Sequence, residues 1–163
     1  MTAEDRTIQR DRMRFIKNSL SSNLAILGIL FDVFYFVSIY KSDVDTYYYN
    51  YIIGVSIVYN LVFMLAVFLS SEGVKNYKKN YSYLLAVIGA VQIARIFIIP
   101  MQAHGTTTIV NGESVVVMQD GQFMRVVVYL AASAACLVAS AVVNFIRCGE
   151  LEAHLKTLAG QGA

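Results

Sequence analysis

Two ionisable residues, Asp32 and Arg95, lie inside long apolar segments of this sequence. A charge is costly to bury in hydrocarbon, so such residues generally pair with each other or mark the path of an ion, a proton or a polar substrate. At a rise of about 1.5 Å per residue, both would lie about 3 to 5 Å from the centre of their helices, toward the same side of the membrane. This matched depth predicts an ion pair between Asp32 and Arg95.

Neutral polar residues occur at a similar depth. Asn60 is near the centre of the second apolar segment, and Gln92 precedes Arg95 by three residues, which places those two on one helix face. We therefore predict one buried network of four polar residues: Asp32, Asn60, Gln92 and Arg95. Tyr35 and Tyr59 are candidates for further members. The network is either a site for an ion, a proton or a polar substrate, or an internal contact that fixes helix register. The second interpretation is favoured, because four helices are too few to enclose a wide aqueous path.

The elements that must position these residues are four apolar segments. The chain of 163 residues is 57% hydrophobic and 15% charged, with a mean hydropathy of +0.56, whereas a soluble domain is about 45–50% apolar. A bilayer core of about 30 Å requires about 20 residues of helix. We predict an all-α membrane protein, a single domain forming a four-helix transmembrane bundle with spans at 20–40, 51–70, 83–101 and 126–146.

The basic residues that flank the spans predict the orientation. Ten of the 13 Lys and Arg residues fall on the side of the two termini and only two on the other side. Because basic flanks remain in the cytoplasm, we expect both termini, including the tail at 147–163, to be cytoplasmic, in a bacterial inner membrane. The net charge of +2 is too small to indicate binding to nucleic acid.

The segment at 3–19 is predicted to form a short amphipathic helix on the cytoplasmic side. Its basic residues recur at spacings of four, four and three, which places them on one face. They would contact anionic lipid, at about 1 kcal/mol per residue, or would only fix the orientation of the chain. The residues are Arg6, Arg10, Arg14 and Lys17.

The loop at 102–125 is the longest connection and is predicted to lie outside the cytoplasm. Two β-prone runs, 106–110 and 113–117, are separated by Asn111-Gly112. This dipeptide favours a tight hairpin, because the turn needs positive φ at both central positions. An isolated hairpin is marginal in water, so we expect it to pack on the bundle or on a partner chain.

Small residues recur every four positions along the fourth span. Such spacing lets two helix backbones approach closely, either within the bundle or between two protomers. The predicted seam comprises Ala131, Ala135 and Ala139. Ser133, Ser140 and Asn144 add a polar stripe to the same span.

Catalytic motifs are missing from the sequence, and the two histidines, His104 and His154, have no evident partner nearby in the chain. The Cys and His spacing predicts no metal site, and no cofactor is expected. We therefore expect a non-enzymatic subunit that assembles with or regulates another membrane protein. A small oligomeric transporter or channel that uses Asp32 and Arg95 is the alternative, and an intramembrane enzyme is a more remote one. The expected partners are the lipid bilayer and a second copy or another membrane protein.

Overall fold

The computed structural model describes residues 15–39, 47–98, 100–110 and 112–161. Four long helices dominate this part of the chain, joined by a short helix and two strands. Each of the four is long and apolar enough to cross a membrane. The prediction of four helices suited to span a membrane is therefore confirmed. In chain order the elements are α1 (Ser19–Ile39), α2 (Tyr47–Lys75), α3 (Lys79–Ile98), α4 (Pro100–His104), β1 (Thr107–Val110), β2 (Glu113–Val116) and α5 (Asp120–Gln161).

Helix α5 is central to the bundle, since it packs extensively on both α1 and α3, while α2 packs mainly on α1 and more sparingly on α3. Glycines on the two neighbours allow this close approach. A Cβ atom at Gly28 would lie 2.9 Å from Leu137 Cδ2, and one at Gly89 would lie 2.9 Å from Val138 Cγ2. A larger residue at either position would require the side chain of Leu137 or Val138 to shift.

The interior contains two apolar clusters. One, here called the apolar layer, joins all four long helices through seven buried residues: Ala25, Phe63, Val67, Val74, Leu85, Leu137 and Ala141. The other lies nearer the hairpin and comprises Tyr35, Val126 and Leu130. Buried polar side chains lie between the two clusters. Others lie at the end of the bundle where α1 begins, so apolar and polar zones alternate along the bundle axis.

A tight turn connects α2 and α3 at residues 76–78. Tyr77 has a φ of 57°, which is strained for a residue with a side chain. Its carbonyl oxygen accepts a hydrogen bond from Cys148 Sγ at 3.2 Å, so α5 holds the turn in place. Gly73 packs directly beneath the ring of Tyr81.

The chain after the fourth predicted span is helical, because α5 continues as one helix through Gln161. Gly149 is exposed and does not break the helix, since a single helical glycine costs only about 1 kcal/mol. Contacts from other elements hold the extension. Phe15 stacks on His154 with ring centroids 5.2 Å apart, and Lys79 Nζ lies 3.7 Å from Glu152 Oε1.

The β-hairpin is present in the loop between α4 and α5. Its strands pair antiparallel, with Val110 opposite Glu113, and Gly112 in the turn has a φ of 87°. Each strand is one residue shorter than the sequence predicted. The amphipathic helix predicted at 3–19 lies largely outside the described residues.

Candidate functional site

An ion pair between α1 and α3 lies at the centre of the candidate site. Arg95 Nη1 donates to Asp32 Oδ1 at 3.3 Å, and the two side chains are 5% and 0% exposed. Gln92 Nε2 donates to the same Asp32 oxygen at 2.8 Å, and its Oε1 is 3.5 Å from Arg95 Nη1. Because Gln92 and Arg95 are one turn apart on α3, one helix face presents both donors to the carboxylate.

Helix α5 joins this group through Ser133. The hydroxyl of Ser133 donates to the carbonyl oxygen of Gly28 at 2.8 Å and accepts from Gln92 Nε2 at 3.3 Å. Gly28 makes this contact feasible, because it lets α1 and α5 approach at this level. Three helices are thus tied together by hydrogen bonds at one depth.

The guanidinium group of Arg95 reaches across to α2. Its Nη2 donates to Ser56 Oγ at 3.4 Å, and its Cζ lies 4.4 Å from the ring centroid of Tyr35 and 4.5 Å from that of Tyr59. Two aromatic faces therefore flank the cation, an arrangement that stabilises a desolvated guanidinium. We call these residues the Asp32 network: Asp32, Tyr35, Ser56, Tyr59, Gln92, Arg95 and Ser133.

Asn60, which the sequence placed in the same network, is fully buried on α2 but donates no hydrogen bond within the described ranges. Both its Nδ2 and its Oδ1 lack a partner there, as do Asp32 Oδ2 and Arg95 Nε. Buried polar groups in native proteins are nearly always satisfied by protein or by ordered water. The structure thus brings Asp32, Gln92 and Arg95 into contact, whereas Asn60 lies one turn along α2 from Ser56 and has unused hydrogen-bonding capacity within the described residues.

The network could bind a small molecule by hydrogen bonds, because within the described residues it has an unpaired donor, Arg95 Nε, and an unpaired acceptor, Asp32 Oδ2, at a buried position. Its formal charge is zero while Asp32 and Arg95 are both ionised. In the part of the chain that the structure describes, no three His, Cys, Asp or Glu side chains are grouped as ligands for a metal ion.

A second buried polar group lies at the other end of the bundle, and the sequence analysis found only its α5 members. Asn144 accepts from Asn18 Nδ2 at 2.8 Å and donates to Ser82 Oγ at 2.6 Å. Ser21 and Ser140 donate to each other's carbonyl oxygens, both at 2.7 Å. We call these five residues the Asn144 cluster. The polar stripe at Ser133, Ser140 and Asn144 was the available signal, but it did not identify the partners on α1 and α3.

Ala131, Ala135 and Ala139 lie together on the exposed face of α5. Contacts inside the bundle come instead from the opposite face of α5, where Ser133, Leu137 and Ser140 are buried. The close approach that the alanine spacing suggested is supplied by glycines on α1 and α3. Within this bundle the alanines therefore form no helix–helix seam.

The remaining candidates lie away from the network. Lys17 is exposed just before α1, and Arg6, Arg10 and Arg14 lie outside the described residues. His104, expected to lack a partner, has its Nε2 2.8 Å from Asp120 Oδ1 and its ring 4.4 Å from that of Phe123. This expectation was wrong, because the antiparallel hairpin returns the chain so that His104 meets the first residue of α5.

No protein family matches this chain, and comparison with curated proteins and with solved structures likewise finds no match.

Proposed function

We propose that this chain is a non-enzymatic subunit of a bacterial cytoplasmic membrane that assembles with another membrane protein through the exposed face of α5. The observation that carries the proposal is the outward position of Ala131, Ala135 and Ala139. Small residues at this spacing let a second helix approach closely in a bilayer. The opposite face of α5 is already occupied by α1 and α3, so this face is the one available to a partner.

The proposed orientation has both termini in the cytoplasm and the hairpin outside. It rests on the unequal distribution of Lys and Arg between the two sides. In a variant with Cys136 and Cys148 replaced by alanine, Gly112→Cys should react with an impermeant thiol reagent applied to intact cells. Thr157→Cys should react only after the cells are opened. Labelling in the reverse order would contradict the orientation.

Photo-crosslinking in native membranes tests the assembly. A photo-reactive amino acid in place of Ala135 should give a discrete protein adduct. Leu61 on α2 is a matched control, because it lies near the middle of its span and its side chain is 59% exposed; there we expect adducts with lipid only. An adduct of twice the chain's mass would identify a second copy as the partner. Identical products from both positions would contradict a partner on α5.

A small transporter or channel is the second candidate, and the unpartnered atoms of Asp32, Asn60 and Arg95 favour it. The apolar layer opposes it, because Phe63, Val67 and Leu137 are buried between this site and the Asn144 cluster. A hydrated path through one chain would have to cross that layer. Flux of ions or small solutes in vesicles that contain only this protein would support the second candidate over the first.

A further inference from the structure

Four buried polar atoms, two in the ion pair and two on Asn60, have no hydrogen-bond partner in the described part of the chain. They are Asp32 Oδ2, Arg95 Nε, and the Nδ2 and Oδ1 atoms of Asn60. Asp32 and Asn60 are completely buried, so bulk solvent does not reach them. Native proteins satisfy such groups with ordered water or a ligand when no protein atom is available. The grouping of all four around one ion pair therefore points to a binding site.

The position of Asn60 on α2 places its amide next to the network. It follows Ser56 by four residues, about 6 Å along the helix axis, and Ser56 Oγ is 3.4 Å from Arg95 Nη2. Tyr59, the preceding residue, lies against the guanidinium of Arg95 at 4.5 Å. Asn60 therefore lies on the part of α2 whose neighbouring residues contact Arg95.

The charges around the site define the class of ligand. A cation would face Arg95 Nε, and an anion would face Asp32 Oδ2, so either ion would meet a like charge at close range. The unpaired atoms comprise two donor groups, on Arg95 and Asn60, and two acceptors, on Asp32 and Asn60. A molecule that satisfies them is uncharged and both donates and accepts hydrogen bonds.

We infer that Asp32 Oδ2, Arg95 Nε and the Asn60 amide form an intramembrane binding site for a small uncharged hydrogen-bonding molecule, and that the occupant is water. A buried water makes about three hydrogen bonds, which these atoms supply. The bound water bridges α2 to α1 and α3 at a level where, among the described contacts, α2 otherwise has the single hydrogen bond that Arg95 donates to Ser56. This site lies within one chain and does not depend on assembly through α5.

Solid-state NMR of the full chain in lipid bilayers tests the proposal directly. Magnetisation transferred from water should reach the side-chain amide of Asn60 at least three-fold faster than the side chain of Val67. Val67 is a matched control, since it is two turns further along α2 and is also completely buried, but belongs to the apolar layer. The Asn60 signal is assigned by its loss in Asn60→Leu. Equal rates at the two positions would overturn the proposal.

Two further measurements separate water from the other occupants. Titration with sodium chloride should leave the NMR signals of Asn60 unshifted. Choline chloride and sodium gluconate are the controls that separate an effect of chloride from an effect of sodium. A saturable shift with either ion would contradict the proposal that the ligand is uncharged. Asn60→Leu should lower the midpoint of thermal unfolding, because it removes hydrogen bonds to bound water. A raised midpoint would show that the amide was unpaired and the site dry. The water site and the assembly are tested independently. If the photo-reactive residue at Ala135 gave no protein adduct, the results expected here for Asn60 would be the same.

Discussion

The Asp32 network and the Asn144 cluster are both buried polar groups in the same bundle, but they differ in how completely their hydrogen bonds are formed. In the Asn144 cluster, Asn18, Ser82 and Asn144 use their side chains to join α1, α3 and α5. None of its members is among the described buried groups that lack a partner. Around the Asp32 network, by contrast, Asp32, Arg95 and Asn60 retain unused polar atoms.

On our proposal, this difference separates a group that serves only the fold from one that binds water. A buried polar group left unpaired costs about 1–3 kcal/mol of stability. A polar contact that only fixes helix register is therefore expected to have all its hydrogen bonds formed, as in the Asn144 cluster. The Asp32 network also contains the buried ion pair, and burying charged groups costs more free energy than burying neutral polar groups.

The largest effect is expected from Asp32→Ala or Arg95→Ala. Each substitution leaves the opposite charge buried without its partner, at a cost of about 3–5 kcal/mol. The folded yield in mild detergent, measured by size-exclusion chromatography, should fall strongly for both variants.

The double variant Asp32→Ala with Arg95→Ala is the control for this effect. It leaves no uncompensated charge, so its loss should be smaller than the sum of the two single losses. Additive losses would mean that the two residues act independently in the folded protein.

A smaller effect is expected from Asn144→Ala. The substitution leaves Asn18 Nδ2 without its acceptor and Ser82 Oγ without its donor, which costs about 1–3 kcal/mol. Unfolding in denaturant should register this loss, whereas the water signal at Asn60 should remain. If Asn144→Ala changed the NMR signals of Asn60 as much as those of residues near position 144, the two groups would not be distinct.

Gly28→Ala tests the helix contact that lies between the two groups. Its new Cβ atom would lie 2.9 Å from Leu137 Cδ2, so Leu137 must shift, at about 1 kcal/mol. Gly149→Ala on the exposed part of α5 is the control, because nothing lies within 4 Å of the added atom. The control should leave the thermal midpoint unchanged or raise it; equal losses in both variants would contradict the close approach.

The smallest effect on the bundle is expected from Gly112→Val in the hairpin turn. Gly112 has a φ of 87°, which a β-branched residue resists. Hydrogen exchange in β1 and β2 should accelerate, while exchange in α1 and α5 stays at its original rate. Unchanged protection of the strands would mean that the turn does not need positive φ.

Much of this architecture could be predicted from local patterns. Long apolar segments are sufficient to define four helices, since helices satisfy their own backbone hydrogen bonds in lipid, and Asn111-Gly112 was sufficient to place the hairpin. The pairing of Asp32 with Arg95 was also within reach, because depth along a helix follows from counting residues. The tail was harder to predict, since the contacts of Phe15 and Lys79 that hold it come from distant parts of the chain.

The sequence by itself determined which segments form long apolar helices and how far along its helix each residue lies, because both follow from hydrophobicity and the fixed rise of a helix. Only the tertiary structure decided which way each helix faces. It turned Ala131, Ala135 and Ala139 outward and brought Ser133 to Gln92, since the rotation of a helix is set by its neighbours. It also left the Asn60 amide without a partner in the part of the chain that the structure describes, because the neighbouring helices determine whether a buried donor meets an acceptor.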